Sequence, residues 1–237
     1  MESTLVNIKR SKGVIIPYEY NYYLSISLYS KLRLYQENIK KLHTKTQPGM
    51  HTFSNIISKA SKGGVNGLDI NEGFFIFRSV DPSLNMYLRL GLSIDPIIRI
   101  GDVSYLVSSA KSISDKLLDQ EEVNFKSLSP VLVRNFKERN IFLNFPDDLE
   151  TNLNLVSKWV LKETYNFSEN DLDSLRIIIT SAKRRTVKIS NSKNKESITT
   201  AFQLKGSIRG TPEALKVLYY KGIGSKTSLG LGCWEVD

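Results

Sequence analysis

Apolar positions along the chain follow two rhythms, and their alternation predicts the order of elements. Residues 3–9 (STLVNIK) and 73–80 (GFFIFRSV) are short blocks rich in β-branched and aromatic side chains, which predicts strands. Between them, Tyr22, Ile26, Tyr29 and Leu32 recur every three or four positions. That spacing predicts an amphipathic helix from Glu19 to Leu42. A polar stretch with Pro48 and Gly49 predicts a loop, His51 to Ile57 a short strand, and SKASKGGVNG a further loop. Asp81 followed by Pro82 reads as a helix start, with the carboxylate capping and the proline at the first helical position; this helix is expected to end near Leu90. Pro96–Ile100 and Val103–Ser109 then pair around Gly101-Asp102. The resulting series, strand-helix-strand-strand-helix-strand, is the ferredoxin-like βαββαβ arrangement of an α+β fold.

The cycle restarts beyond the acidic segment Asp115–Glu122. Phe125–Phe136 is strand-like, and Asp147–Tyr165 is helical through Leu149, Leu153, Val156, Trp159 and Val160. Arg176–Ile189 and Ser197–Ile208 read as two long strands joined near NSKNK. Thr211-Pro212-Glu213 repeats the capping signature before a helix ending near Tyr220, and Leu231–Val236 reads as the last strand. The repetition lies in the order of elements and not in residue identities.

Charge sharpens this picture. The 237 residues carry 33 basic and 24 acidic side chains, net +9. Residues 1–118 are net +6, residues 119–175 net −5, residues 176–226 net +10 and the last 11 net −2. A block that basic points to a polyanion as partner, although a plain solvated basic face has the same composition. No apolar run is long enough to span a membrane. The opening MESTLVNIKRSKG lacks the apolar stretch of a secretory signal, so the expected location is the reducing cytoplasm. One cysteine, Cys233, and two histidines, His43 and His51, exclude an internal disulfide, a cysteine-cluster metal site and a histidine-only zinc site.

The most specific stretch is Lys221-Gly-Ile-Gly-Ser-Lys-Thr-Ser-Leu-Gly-Leu-Gly232. Gly222, Gly224, Gly230 and Gly232, with Lys221, Ser225 and Lys226 among them, form a loop whose amides can approach an anion closely. It is neither a Walker loop nor a dinucleotide fingerprint, because the first spacing is absent and the second would follow the first strand. A hairpin of ordinary flexibility near the terminus is the plainer reading. The spacing G-x-G-x5-G-x-G strongly resembles the C-terminal signature of the CRISPR-associated repeat-processing endoribonucleases, of the repeat-associated RNA-binding (RAMP) superfamily. PYEYNYYLSISLYSKL resembles that family's opening helix, LHTKTQPGMHTFSNI its helix end and following strand, GFFIFRS its next strand, and SLSPVLVRN its entry into a second domain.

The resemblance implies two tandem ferredoxin-like (RRM-like) domains, residues 1–119 and 120–237. It also implies metal-independent cleavage of CRISPR precursor RNA within each repeat. There the ribose 2′-OH attacks the adjacent phosphorus, giving a 2′,3′-cyclic phosphate and a 5′-OH. The nucleophile lies within the substrate, so no metal or organic cofactor is required. The family places its catalytic histidine where His43 stands, and some members carry a tyrosine where Tyr29 stands. Imidazole titrates near neutrality and suits proton transfer. Some members begin the following strand with a lysine. Here Gly49 and Met50 occupy those positions, which leaves Lys41, Lys45 or His51 as the assisting group. The family's basic hairpin matches Lys183, Arg184, Arg185 and Lys188, with Lys193 and Lys195 in its turn and Arg209 further along. These side chains would hold phosphates of the precursor and of the processed guide RNA, setting affinity more than sequence choice. A second copy of the chain and effector-complex subunits are further partners the resemblance admits. Two other readings stay open: a non-catalytic RNA-holding subunit of an effector complex, and a module whose basic face meets an acidic protein.

Overall fold

The computed structural model describes residues 1–33, 49–114, 119–138, 141–143, 146, 148–190 and 196–237. It is a mixed α+β structure in which every described strand pair is antiparallel. The first half contains β1 (Glu2–Lys12), β2 (Ile15–Ile16), α1 (Asn21–Leu32), β3 (His51–Phe53), β4 (Lys62–Gly64), β5 (Gly67–Asp69) and β6 (Glu72–Ser79). It continues with α2 (Pro82–Ile94), β7 (Ile97–Ile100) and β8 (Val103–Ile113). Five of these strands form one sheet in the order β3-β6-β1-β8-β7, and β2-β5-β4 form a small second one. The second half contains β9 (Glu122–Ser127), α3 (Leu149–Tyr165), α4 (Glu169–Asp173), β10 (Arg176–Ser190), β11 (Glu196–Arg209), α5 (Pro212–Lys221) and β12 (Trp234–Val236). Its sheet runs β10-β11-β9-β12. In both large sheets the first strand of the half lies inside: β1 between β6 and β8, and β9 between β11 and β12. None of the described helices is long and apolar enough to cross a membrane.

Each large sheet carries its own apolar core. Val6, Ile8, Phe75, Phe77 and Tyr105 meet Leu24, Leu28 and Leu32 of α1 and Leu84, Leu88 and Leu92 of α2. Phe125, Ile177, Phe202, Leu204 and Ile208 meet Leu153 and Leu161 of α3 and Leu215 and Leu218 of α5. The expected caps form: Asp81 accepts from the Ser83 amide, and the Thr211 side chain from the Ala214 amide.

Several expected boundaries move, each for a local reason. The helix after Asp81 continues past Leu90 to Ile94. Within and just past the stretch 58–67 expected as loop, Lys62–Gly64 and Gly67–Asp69 pair as the β4–β5 hairpin with Val65 and Asn66 at its turn. Gly67 has φ 144°, and a Cβ there would lie 2.0 Å from the Ile16 carbonyl oxygen. The strand expected over Phe125–Phe136 stops at Ser127. Pro130 lacks a ladder donor, and only isolated bridges such as Val131 with Phe202 and Leu132 with Ser225 follow. The last strand is Trp234–Val236 and not Leu231–Val236, because Gly230 and Gly232 sit at left-handed φ and turn the chain just before it. Helix α4 was not anticipated; a Ser168/Asp171 capping box starts it. The part of the opening helix expected beyond Arg33 lies outside the described residues.

Arg78 joins the halves. It stands on β6 with 2% of its surface exposed, its guanidinium 3.7 Å from the centroid of the Tyr219 ring. Its Nη1 donates to the Trp234 carbonyl oxygen. A desolvated cation over an aromatic face and a charge-assisted hydrogen bond together contribute more than a surface pair. We therefore expect Arg78→Met to lower the unfolding free energy by about 2–4 kcal/mol. For a chain of this length that is a fall in Tm of roughly 5–15 °C. Urea and thermal unfolding measure it; an unchanged midpoint would deny Arg78 this role.

Candidate active site and nucleic-acid interface

Strand β3 is an edge strand, hydrogen-bonded on one side to β6. Its other side is covered by the glycine-rich segment that follows α5. Thr52 Oγ1 donates to the Leu231 carbonyl at 3.0 Å. Asn21 Nδ2, at the start of α1, donates to the Gly230 carbonyl at 2.7 Å. Thr227–Leu229 form one 3-10 turn within this segment. Gly49, just before β3, packs so closely on that turn that a Cβ would lie 2.9 Å from Thr227 Oγ1 and 3.1 Å from the Ser228 amide nitrogen.

At this seam three side chains from three segments meet. His51, the first residue of β3, is 3% exposed and stacks on Phe77 with ring centroids 5.2 Å apart. Its Nε2 lies 3.2 Å from the Tyr29 hydroxyl of α1. Ser228 of the 3-10 turn acts on the same phenol, favouring its ionised form against the effect of burial. Burial pushes the Tyr29 pKa up to about 12, opposed by the Ser228 hydrogen bond. The phenol is therefore neutral across the physiological range. Tyr29 and His51 were both singled out in the sequence, and the structure brings them together. Ser228 was not; it lies between two glycine pairs whose spacing drew attention to the backbone. His43, with Lys41 and Lys45, lies outside the described residues.

The glycines of the segment turn out to serve packing within the chain. Gly230 has φ 73°, and a Cβ there would lie 2.0 Å from the Phe53 ring. Gly232 has the same φ, and its Cβ would meet the Ile223 carbonyl oxygen at 1.9 Å. Gly222 and Gly224 are likewise buried. Lys221 departs most from the expected surface position. It is 2% exposed and its Nζ donates to the Gly222 carbonyl at 2.9 Å. The helix α5 carries it inward, and burial lowers its pKa to about 8. Of the candidates in the loop, Ser225 is half-buried and Lys226 is exposed. Partial desolvation and the nearby Arg134 guanidinium lower the Lys226 pKa. Such a cation gains from a phosphate brought beside it.

The basic hairpin extends along the same side. Lys183, Arg184 and Arg185 are exposed on β10, opposite Gln203, Phe202 and Ala201 of β11. Lys188 instead turns to α1: its Nζ donates to the Tyr23 hydroxyl at 2.8 Å and lies 4.9 Å from that ring's centroid. The hairpin thus leans on the helix that carries Tyr29. Arg209 is exposed at the other end of β11, opposite Arg176. Seven residues of strand, roughly 23 Å, separate it from the partner of Arg184. It does not join the same cluster. Lys193 and Lys195 lie outside the described residues. Tyr219 and Trp234 are core residues, and Tyr220 is partly buried against them. Among the described residues no group of three or more His, Cys, Asp or Glu is placed to hold a metal ion.

Comparison with known proteins agrees over the whole chain. Residues 15–111 match the family model for the N-terminal part of CRISPR-associated protein Cas6, and residues 113–236 match the model for its C-terminal part. The CRISPR-associated endoribonuclease Cas6 of Pyrococcus furiosus is 24% identical over 246 residues, covering 98% of this chain and 88% of the relative. A CRISPR-associated endoribonuclease-like protein, Cas6nc, of Pyrococcus horikoshii is 26% identical over 238 residues and 92% of each chain. A solved structure described as a RAMP protein binding different RNA substrates superposes with a TM-score of 0.85 at 25% identity, covering both chains completely.

The buried Lys221 makes a pH-dependent prediction. The unfolded chain keeps a lysine pKa near 10.5, whereas the folded value is about 8. Between these values the unfolded state binds more protons, so stability rises with pH; below about 8 the penalty is fully present. Lys221→Met should then be more stable than the unmodified protein at pH 7, by about 1–3 kcal/mol. The gap should close as pH rises toward 10.5. Urea unfolding at pH 7, 8.5 and 10 tests this; a gap independent of pH would show that the ammonium is not desolvated.

Proposed function

Because the chain belongs to the Cas6 family of CRISPR-associated endoribonucleases, within the RAMP superfamily, we propose that it cuts CRISPR precursor RNA within the repeats to release guide RNAs. The reaction is transesterification. The ribose 2′-oxygen bonds to the adjacent phosphorus and its proton leaves. The P–O5′ bond breaks and the 5′-oxygen takes up a proton. The products are a 2′,3′-cyclic phosphate and a 5′-OH, and no metal ion takes part. One group near neutral pKa and donors aimed at the phosphate oxygens are enough for this chemistry. His43 is the proposed proton-transfer group. Tyr29, neutral at working pH, is a hydrogen-bond donor and not a base. His51 is too enclosed to meet the substrate except through Tyr29. The observation that supports the reading is the meeting of Tyr29, His51 and Ser228 where the glycine-rich loop covers β3.

The proposed architecture is two ferredoxin-like domains, residues 1–119 and 120–237. The two sheets, each with its opening strand inside, and the two separate cores support it. Lys183, Arg184 and Arg185 hold phosphates of precursor and product along the hairpin, and Ser225 and Lys226 do so at the loop. RNA of this kind is met in the cytoplasm. A second copy of the chain and effector-complex subunits are the proposed protein partners.

Incubation with RNA repeats from the source genome in EDTA, followed by end-group analysis, tests the reaction. The expected products carry cyclic-phosphate and 5′-OH ends. Tight binding without product would instead support a non-catalytic RNA-holding subunit. In the same assay His43→Ala should slow single-turnover cleavage at least about 100-fold with RNA affinity retained. A near-normal rate would remove His43 from the mechanism. Replacing Arg184 and Arg185 together by alanine should flatten the dependence of log affinity on log salt by about 1.5, the loss of two phosphate contacts. An unchanged slope would move the RNA path elsewhere.

A further inference from the structure

The open face of α1 carries apolar side chains where a solvated helix carries polar ones. Tyr22, Ile26 and Tyr29 recur at i, i+4 and i+7, so they stand one above another on a single face. Their spacing marks them in the sequence as the core side of the helix, but the core takes Leu24, Leu28 and Leu32 instead. Ile26 is 52% exposed, and Tyr22 and Tyr29 are half-buried. A lone exposed apolar residue needs no explanation, whereas a row that ends at a candidate reacting group does. Cations lie beside this row. Lys188 of β10 donates to the Tyr23 hydroxyl at 2.8 Å, and its Nζ lies 5.7 Å from the centroid of the Tyr22 ring. The Tyr22 and Tyr23 rings meet edge to face, with centroids 5.6 Å apart. Tyr22 is thereby held at the foot of the hairpin that bears Lys183, Arg184 and Arg185.

We infer that Tyr22 and Ile26 form a platform for unpaired bases of the RNA, set between the basic hairpin and Tyr29. Apolar and aromatic surface flanked by cations fits a base on a phosphate chain: the base covers the row, and the cations take the phosphates. With about 1.5 Å of rise per residue, Ile26 stands roughly 6 Å and Tyr29 roughly 10 Å along the helix from Tyr22. That leaves room for one or two bases between the hairpin and the phenol. A protein partner could also cover an apolar row, but charge favours RNA, since the neighbouring block of residues 176–226 is net +10. That the bound bases are those flanking the cleaved bond rests on the endoribonuclease reading; that the row binds unpaired bases does not.

Two probes test the platform: fluorescein-labelled RNA of one repeat from the source genome, and inorganic polyphosphate, which has the charge without the bases. Tyr22→Ser combined with Ile26→Ser should weaken RNA binding about tenfold. The salt dependence of the Kd should stay the same, because no phosphate contact is lost, and polyphosphate binding should stay within twofold. Ile26→Ser alone, at a half-exposed position, should keep the unfolding midpoint and still weaken RNA binding about threefold. In the RNA, abasic sites introduced one at a time should reveal a position whose base contributes about tenfold to binding by the unmodified protein, and less than twofold to binding by the double variant. Absence of any such position, or equal loss of RNA and polyphosphate affinity, would overturn the platform. So would an unchanged RNA affinity with an altered sedimentation coefficient, which would give the row to a protein partner. If the unmodified protein binds the repeat without cutting it, the endoribonuclease reading fails, and the abasic series still decides the platform.

Discussion

An edge strand has to be covered. Strand β3 is three residues long and presents one side of its backbone to whatever lies beside the five-stranded sheet. The chain covers it with a segment from its far end. That segment comes close enough to accept hydrogen bonds from α1 and β3 only because Gly230 has no side chain to strike Phe53. This contact ties residues about 180 positions apart in sequence, Thr52 and Leu231 being the clearest pair. Everything at the candidate site depends on it. Ser228 stands on this loop, and the loop's turn packs on Gly49 just before His51.

The distribution of charge follows from the same closure. Groups near the seam are desolvated: the phenol of Tyr29 is pushed toward its neutral form, and the ammonium of Lys221 loses affinity for its proton. The cations that stay hydrated, Lys183, Arg184 and Arg185, stand out on the hairpin. Lys188 lies between the two regimes, with its ammonium against Tyr23. Exposed cations on the hairpin thus stand apart from a few poorly hydrated polar groups at the seam. Surface charge gives salt-sensitive affinity, whereas dry dipoles gain strength where charge develops.

Much of this was legible in the sequence where one local rule governed. Asp81-Pro82 and Thr211-Pro212 marked two helix starts because a cap and a proline act within one turn. Alternating apolar residues marked the long strands, since a buried face imposes its period. What stayed illegible depends on contacts distant along the chain. Lys221 reads as a cation in a glycine-rich loop, but the pitch of α5 turns it inward. The four glycines read as a cradle for an anion, yet Gly230 and Gly232 are required by Phe53 and by the Ile223 carbonyl. Neither neighbour is visible from composition. The β4–β5 hairpin turns at Val65-Asn66 and was passed over because the glycines and lysines around it read as loop.

A tyrosine held neutral and a histidine shielded from solvent make a particular kind of site. Burial keeps the Tyr29 phenol in its neutral form, and His51 is held beside it at 3.2 Å. A donor held in such a water-poor setting gains electrostatic strength over the same donor in solvent. The enclosed pair is therefore held by geometry, Tyr29 by the helix α1 and His51 by β3 and its stack on Phe77.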